Sequence, residues 1–219
     1  MNTLTSAPLA PLLEKLFKED TDSERNFNTL PFSEQDMSRL MQSKTEYQKL
    51  YTELKDFPLS ISRETGTLLY MLVRNGRLKN IVEFGTSIGV STLFLAAALR
   101  DNGGGSLITS EFEPSKIAKA KENLQVGGLL DLVEIREGDA LQTLSSNLPD
   151  PIDLLLLDGS KALYLEILTL TEKYLKPGAL ILADDAESSP DYLAYIRSSS
   201  GNYISVSIAD DVELSMRCA

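Results

Sequence analysis

The sequence predicts a doubly wound α/β fold, a mostly parallel sheet of the seven-strand type closed by an antiparallel C-terminal hairpin. Three observations predict it. From Ile81 onward, short apolar runs alternate with helical patterns. Ile152–Leu157 reads as the apolar run of a strand buried on both faces, which parallel sheets require. The last two β-patterned runs, Tyr203–Ile208 and Val212–Arg217, are separated by only Ala209–Asp211, too short for a crossover helix.

The elements follow in order. Pro11–Lys18 has a short helical pattern, and Glu19–Asn28 is polar and reads as a loop. Ser33 is placed as an N-cap with Asp36 three positions on. Met37, Leu40, Met41, Tyr47, Leu50, Tyr51 and Leu54 then form one amphipathic stripe, predicting a single helix that ends before Pro58. A second helix spans about Arg63 to Arg74 and stops at Gly76. Strands are predicted at Ile81–Phe84, Leu107–Ser110, Leu132–Arg136, Ile152–Leu157 and Ala179–Ala183. Between them lie helices at Val90–Leu99, Pro114–Val126, Ala140–Ser146 and Ala162–Leu175, the second opened by a favoured proline. Pro177-Gly178 reads as a turn, and Asp191–Ser199 as the last helix. Residues 1–58 form a helical extension and 59–219 the main domain.

Composition narrows the chemistry. The chain has 219 residues, a net charge of −11 and no histidine. Histidine-based zinc sites, Ser-His-Asp triads and histidine general bases are therefore excluded, leaving Lys, Asp, Glu, Tyr or Cys for proton transfer. The acidic balance argues against a nucleic-acid surface. The one cysteine, Cys218, cannot form an intrachain disulfide, which suits a reducing compartment. No apolar run approaches a membrane span and no secretory leader is recognisable, so a cytoplasmic location and no membrane partner are expected.

The most informative stretch is Asn80–Leu99, a strand, a glycine turn and a helix start, carrying Glu83, Gly85 and Gly89. That order makes a ligand cradle, because glycines admit close backbone approach and the first helical N–H groups point outward. The Glu-x-Gly-x-x-x-Gly spacing differs from dinucleotide and phosphate loops. Lys and Arg are missing from Ile81 to Leu99, so a cationic or zwitterionic ligand fits better than a polyphosphate. Acids then end four successive strands, at Glu111, Asp139, Asp158 and Asp184-Asp185. In open α/β sheets the carboxyl ends of the strands form the ligand-binding rim. Glu111, 22 residues past Gly89, suits a carboxylate accepting ribose hydroxyls, or it caps the helix from Pro114. Asp139 and Ala140 are placed to border a nucleobase.

These residues resemble a known family. Glu83-Phe-Gly85-Thr-Ser-Ile-Gly89-Val-Ser91, Ser110-Glu111, Gly138-Asp139-Ala140, Asp158-Gly-Ser-Lys161 with Tyr164, and Asp184-Asp185 are similar to class I S-adenosylmethionine-dependent methyltransferases of Rossmann-like fold. Within them the chain resembles the catechol and caffeoyl-CoA O-methyltransferase group from about Leu59 onward. The resemblance implies that Ile61, Glu83, Gly85, Ser87, Gly89, Ser91 and Asp158 surround the methionine part of the cofactor S-adenosylmethionine. It implies Glu111 on the ribose, and Asp139 and Ala140 beside the adenine. Asp158, Asp184 and Asp185 match positions that hold a divalent metal (Mg²⁺, with Mn²⁺ or Ca²⁺ as options), and Lys161 matches the general base, with Asp158 beside it as a second catalytic residue. The third metal position is commonly asparagine in the group. Asp185 here adds a negative charge, which either changes the metal preference or accompanies loss of metal dependence.

The expected function is methyl transfer to a hydroxyl of a small, catechol-like acceptor with metal assistance. Alternatives are a metal-independent methyltransferase, in which Lys161 pairs with Asp158, and a nicotinamide-dependent oxidoreductase, disfavoured by the glycine spacing and by the lack of a tyrosine four residues before Lys161. A cofactor-binding but inactive partner protein is a further alternative. The extension 1–58 is expected to cap the acceptor or to form a homodimer contact.

Overall fold

A computed structural model describes residues 2–24, 32–198, 201–208 and 211–218. Its helices are α1 (Leu9–Glu24), α2 (Glu34–Met41), α3 (Tyr47–Glu53), α4 (Arg63–Gly76), α5 (Val90–Asp101), α6 (Pro114–Val126), α7 (Ala140–Thr143), α8 (Tyr164–Thr171) and α9 (Pro190–Ile196). Its strands are β1 (Asn80–Phe84), β2 (Ser106–Glu111), β3 (Val133–Glu137), β4 (Ile152–Leu157), β5 (Leu175–Ala183), β6 (Tyr203–Ser207) and β7 (Glu213–Arg217). They form one sheet in the order β3-β2-β1-β4-β5-β7-β6. The first five pair parallel, and β7 pairs antiparallel with both β5 and β6. The doubly wound, mostly parallel sheet with its antiparallel end is the one the sequence predicts.

Each face of the sheet carries a helical layer. One core joins Leu9, Leu13 and Leu16 of α1, Leu69 and Val73 of α4, and the whole inner length of α5 from Leu93 to Leu99. The other joins Leu155 and Leu157 of β4 to Leu163, Ile167 and Leu168 around α8 and to Tyr192 and Ile196 of α9. α5 is apolar on nearly every side because it packs on β2 and against α1 and α4.

Three expectations are corrected. The first helix runs on to Glu24 instead of ending at Lys18. Polar residues alone do not stop a helix; Glu19 pairs with Lys15 one turn back (3.5 Å), and the stretch holds neither Gly nor Pro. The rest of the predicted loop, 25–28, lies outside the described residues. The single helix over 37–54 is two, α2 and α3. Ser43 interrupts it by accepting hydrogen bonds on its hydroxyl from the N–H groups of Glu46 (2.9 Å) and Thr45 (3.4 Å). The helix expected to reach Leu175 ends earlier, and β5 starts at Leu175, running through Pro177-Gly178 with a register shift opposite Ile152–Leu154.

Asp153 anchors the far end of the sheet from the glycine turn. Its Oδ2 accepts from the N–H groups of Lys79 (2.7 Å) and Asn80 (2.9 Å), and its Oδ1 pairs with the Lys176 ammonium. Burial alone pushes this carboxyl up, but the Lys176 ammonium and the two N–H groups outweigh it and hold it below the usual carboxylate range. A depressed folded-state pKa gives stability that is present above the unfolded value and lost as pH falls through the folded one. Asp153→Asn therefore lowers unfolding free energy by about 2 kcal/mol near neutral pH. In denaturant titrations this gap closes below the ordinary carboxylate range; a gap of constant size down to acid pH contradicts the assignment.

Candidate active site

Parallel pairing brings the strand-end acids together. Phe84 of β1 lies opposite Ser110 of β2 and Leu157 of β4, and Leu157 opposite Ala183 of β5. The residues that follow, Gly85, Glu111, Asp158 and Asp184, therefore share one rim. A cavity of about 470 Å³ opens there, within the usual range of small-molecule sites. Gly85, Ser87, Glu111, Phe112, Gly138, Ala140, Asp158, Lys161, Asp184 and Asp185 line its floor. Met37 and Met41 of α2, Leu50 and Tyr51 of α3, and Leu54 and Phe57 beyond it form an apolar wall over that floor.

The glycine turn is shaped for close approach. Gly85 has φ +102°, and a Cβ there would fall on the carbonyl oxygen of Asp158. Gly89 (φ +87°) is the N-cap of α5 and does not line the cavity. Ser87 adopts φ +47° and is tied down by its hydroxyl, which donates to the Pro58 carbonyl, and by its N–H, which donates to Glu111 Oε2 (2.9 Å). Glu111 Oε1 accepts from the N–H groups of Phe112 (2.9 Å) and Glu113 (3.0 Å). Its carboxylate is thus fixed at the cavity edge by backbone donors, while Glu113 caps α6.

Other predicted residues lie around this floor. Glu83 is fully buried beneath it and does not line it. The Thr92 hydroxyl donates to Glu83 Oε2 (2.6 Å), and Oε1 is buried without a partner among the described residues. Burial pushes the Glu83 carboxyl up, against nearby Ser91, Thr92 and Thr109 hydroxyls. Ile61 and Ser91 line a small adjoining cleft together with Ser60, Ser87 and Asp158. Asp139 sits at the rim with its carboxylate turned aside: Oδ1 caps α7 at the Leu141 N–H (2.9 Å), and Oδ2 accepts from Gln48 Nε2 (3.3 Å). Its neighbours Gly138 and Ala140 line the cavity.

The acids at the β4 and β5 ends surround one ammonium. Lys161 Nζ lies 3.3 Å from Asp158 Oδ1 and 3.2 Å from Asp185 Oδ2. It also donates to the Tyr164 hydroxyl (2.9 Å), which in turn donates to the Asp184 carbonyl (2.7 Å). Burial pushes the Asp158 carboxyl up to about 6, with Glu83 and Asp185 adding to the rise and Lys161 opposing it. Asp184 is raised to about 7 by burial and by the Asp158 charge. Burial disfavours the Lys161 charge, but the surrounding acidic groups prevail and hold the side chain protonated. In this state Lys161 is an ion-pair partner and not a free base. No group of three or more His, Cys, Asp or Glu side chains is arranged as a metal site among the described residues, though three carboxylates are the hard donors a divalent cation takes.

The sequence pattern did not single out Tyr51, Phe112, Ser60 or Lys116 as site residues, all of which line the cavity. Tyr51 was hidden in an amphipathic stripe, and Lys116 in an ordinary surface-like helix pattern. The Phe84 ring packs where a side chain at Gly159 would be.

Comparison with known proteins agrees with this geometry. Residues 82–186 match a family described as a methyltransferase domain. A catechol O-methyltransferase of Niastella koreensis is 36% identical over 130 residues, 58% of each chain. The catechol O-methyltransferase of Mus musculus is 32% identical over 168 residues, 73% of this chain and 62% of its own. The chain thus spans about three-fifths of the length of these curated relatives. Among solved structures, the O-methyltransferase TomG from Streptomyces achromogenes, in complex with SAM, superposes with a TM-score of 0.64 at 22% identity, covering 94% of this chain and 99% of that one. An O-methyltransferase from Bacillus cereus in complex with SAH gives 0.63 at 19% identity, covering 92% and 100%. Residues 82–186 are thus similar to a methyltransferase domain, and the fold is one shared with solved O-methyltransferases.

The turn at Gly85 gives a test of the cradle. Gly85→Ala combines left-handed strain with a clash and costs about 2 kcal/mol or more, whereas Gly103→Ala, at φ +81° in open space, carries the strain alone at about 1 kcal/mol. Equal denaturation midpoints for the two variants would remove the close approach to Asp158.

Proposed function

We propose that this chain transfers the methyl group of S-adenosylmethionine to a hydroxyl of a small, planar, catechol-like acceptor. The carrying observation is the joint placement of the glycine cradle, Glu111 and the Asp158–Lys161–Asp185 cluster around one cavity with an apolar wall. The cofactor occupies the β1–β3 side. Glu111 accepts from its ribose hydroxyls, and Asp158, which lines both the cavity and the adjoining cleft, attracts its ammonium. The acceptor lies on the β4–β5 side under α2 and α3, where Met37, Met41, Leu54 and Phe57 exclude water.

The acceptor oxygen attacks the methyl carbon as the carbon–sulfur bond breaks. The hydroxyl proton passes to the Asp158 carboxylate, and the neighbouring Lys161 ammonium stabilises the developing negative charge on oxygen. Asp158, Asp184 and Asp185 are the residues that would hold a divalent cation, which when bound supplies Lewis acidity at the acceptor oxygen. A metal-independent variant of this reading is favoured by one observation: the Lys161 ammonium already bridges Asp158 and Asp185.

Radiolabelled methyl transfer to catechol tests the proposal. Lys161→Met lowers kcat by about 100-fold or more with little change in cofactor affinity. Activity abolished by EDTA and restored by Mg²⁺ selects the metal-assisted form; full activity in EDTA selects the other. Undiminished kcat in Lys161→Met contradicts the proposed role of the pair.

A further inference from the structure

A buried hydroxyl at the cavity lacks a partner. Ser160 is 5% exposed and lines the cavity directly before Lys161, and its Oγ has no hydrogen-bond partner among the described residues. Leaving a buried hydroxyl unpaired costs free energy, so such a group calls for an explanation. The adjacent charge does not supply one, because Lys161 is engaged by Asp158, Asp185 and the Tyr164 hydroxyl.

A second hydroxyl comes down from the cover. Tyr51 stands on α3, lines the cavity, and packs against both the small core of the cover and the core around β4 and α8. Packing on both sides holds the ring, and its hydroxyl faces Ser160, Lys161, Asp158 and Asp185. A tyrosine hydroxyl is a proton donor at neutral pH. Burial raises this one further, with Lys161 opposing and the Asp158 and Asp185 charges adding to the rise. Tyr51 lies outside residues 82–186, the stretch similar to a methyltransferase domain, so this contact belongs to the cover and not to the cofactor-binding strands.

Two neutral hydroxyls thus adjoin a charged cluster. The cluster suits the oxygen that loses its proton, and a neutral pair suits an oxygen that keeps it. Between them, Tyr51 and Ser160 offer an O–H to donate and a lone pair to accept, which is what a hydroxyl requires. The Ser160 hydroxyl is set by one torsion, so it can turn toward a ligand oxygen without moving the backbone. We propose that Tyr51 and Ser160 bind the second oxygen of the acceptor, the one beside the reacting hydroxyl, and so select aromatic acceptors with two adjacent hydroxyls over monophenols. This assignment rests on the methyl-transfer reading above and deepens it: the oxygen at Asp158 and Lys161 reacts, and the oxygen at the neutral pair does not. A divalent cation joining both oxygens is the other source of the same preference.

Calorimetric titrations on the full chain separate the two sources. Wild type, Tyr51→Phe and Ser160→Ala, each saturated with S-adenosylhomocysteine, are titrated with catechol and with phenol, first in EDTA and then with Mg²⁺. In EDTA, wild type is expected to bind catechol about tenfold or more tighter than phenol, and each variant to lose most of that preference. The melting temperature of Ser160→Ala stays at or above that of wild type, since the variant removes a buried unpaired oxygen; a lower one reveals a structural partner and overturns the proposal. Equal losses for both ligands, or an undiminished preference in a folded variant, also overturn it. Should Tyr51→Phe fail to fold, Ser160→Ala decides alone. A wild-type preference that is missing in EDTA and present with Mg²⁺ belongs to a cation; it overturns the hydroxyl pair and leaves the methyl-transfer reading standing. Wild type that binds neither catechol nor phenol under both conditions overturns the acceptor reading and this assignment with it.

Discussion

One ammonium determines the charge state of the site. Asp158, Asp184 and Asp185 are delivered to the same rim by the parallel pairing of β4 and β5, with the Asp184 N–H donating to the Leu157 carbonyl (2.9 Å). Burial, together with neighbouring carboxylate charge, pushes the Asp158 and Asp184 carboxyls up. Lys161 reduces that repulsion by lying between Asp158 and Asp185, and Tyr164 fixes it from behind. Tyr164 is itself held edge-on between Phe84 and Tyr192, so the position of the charge depends on the packed core of α8 and α9. The arrangement is prepaid by folding, which is what a site for charge movement requires.

The two sides of the cavity divide the chemistry. On the β1–β3 side, backbone conformation does most of the positioning: Gly85 brings the chain close to Asp158, and the N–H groups of Ser87, Phe112 and Glu113 orient Glu111. On the β4–β5 side, side-chain charge does it. The cover is supplied by α2 and α3, whose inner residues form a small core of their own around Leu40, Leu50, Leu54 and Phe57. An apolar cover over a charged floor strengthens electrostatic interactions beneath it by lowering the local dielectric. α1 behaves differently from its neighbours, since Leu9, Leu13 and Leu16 enter the main core beside α5.

The sheet was legible because its strands carry strong, simple patterns. β4 has the predicted bounds, Ile152–Leu157, and the hairpin followed from a gap too short for a helix. The shared rim was legible for the same reason, since topology alone sends the acids after each parallel strand to one end. Local competition was harder to read. The break at Ser43 depends on one hydroxyl reaching two N–H groups, and β5 passes through Pro177-Gly178 while Lys176 beside them pairs with Asp153. Asp139 shows that an acid after a strand can spend its oxygens on a helix cap and a glutamine. Tyr51 and Lys116 carry no sequence signal of a site, because their exposure is set by packing that only the fold creates.

The central claim is that the strand-end rim binds a nucleoside sulfonium donor through Glu111. Calorimetric titration of S-adenosylhomocysteine into wild type and Glu111→Ala tests it most directly. The account predicts one site per chain in wild type and affinity weakened by about tenfold or more in the variant. Identical affinities for the two proteins would contradict it.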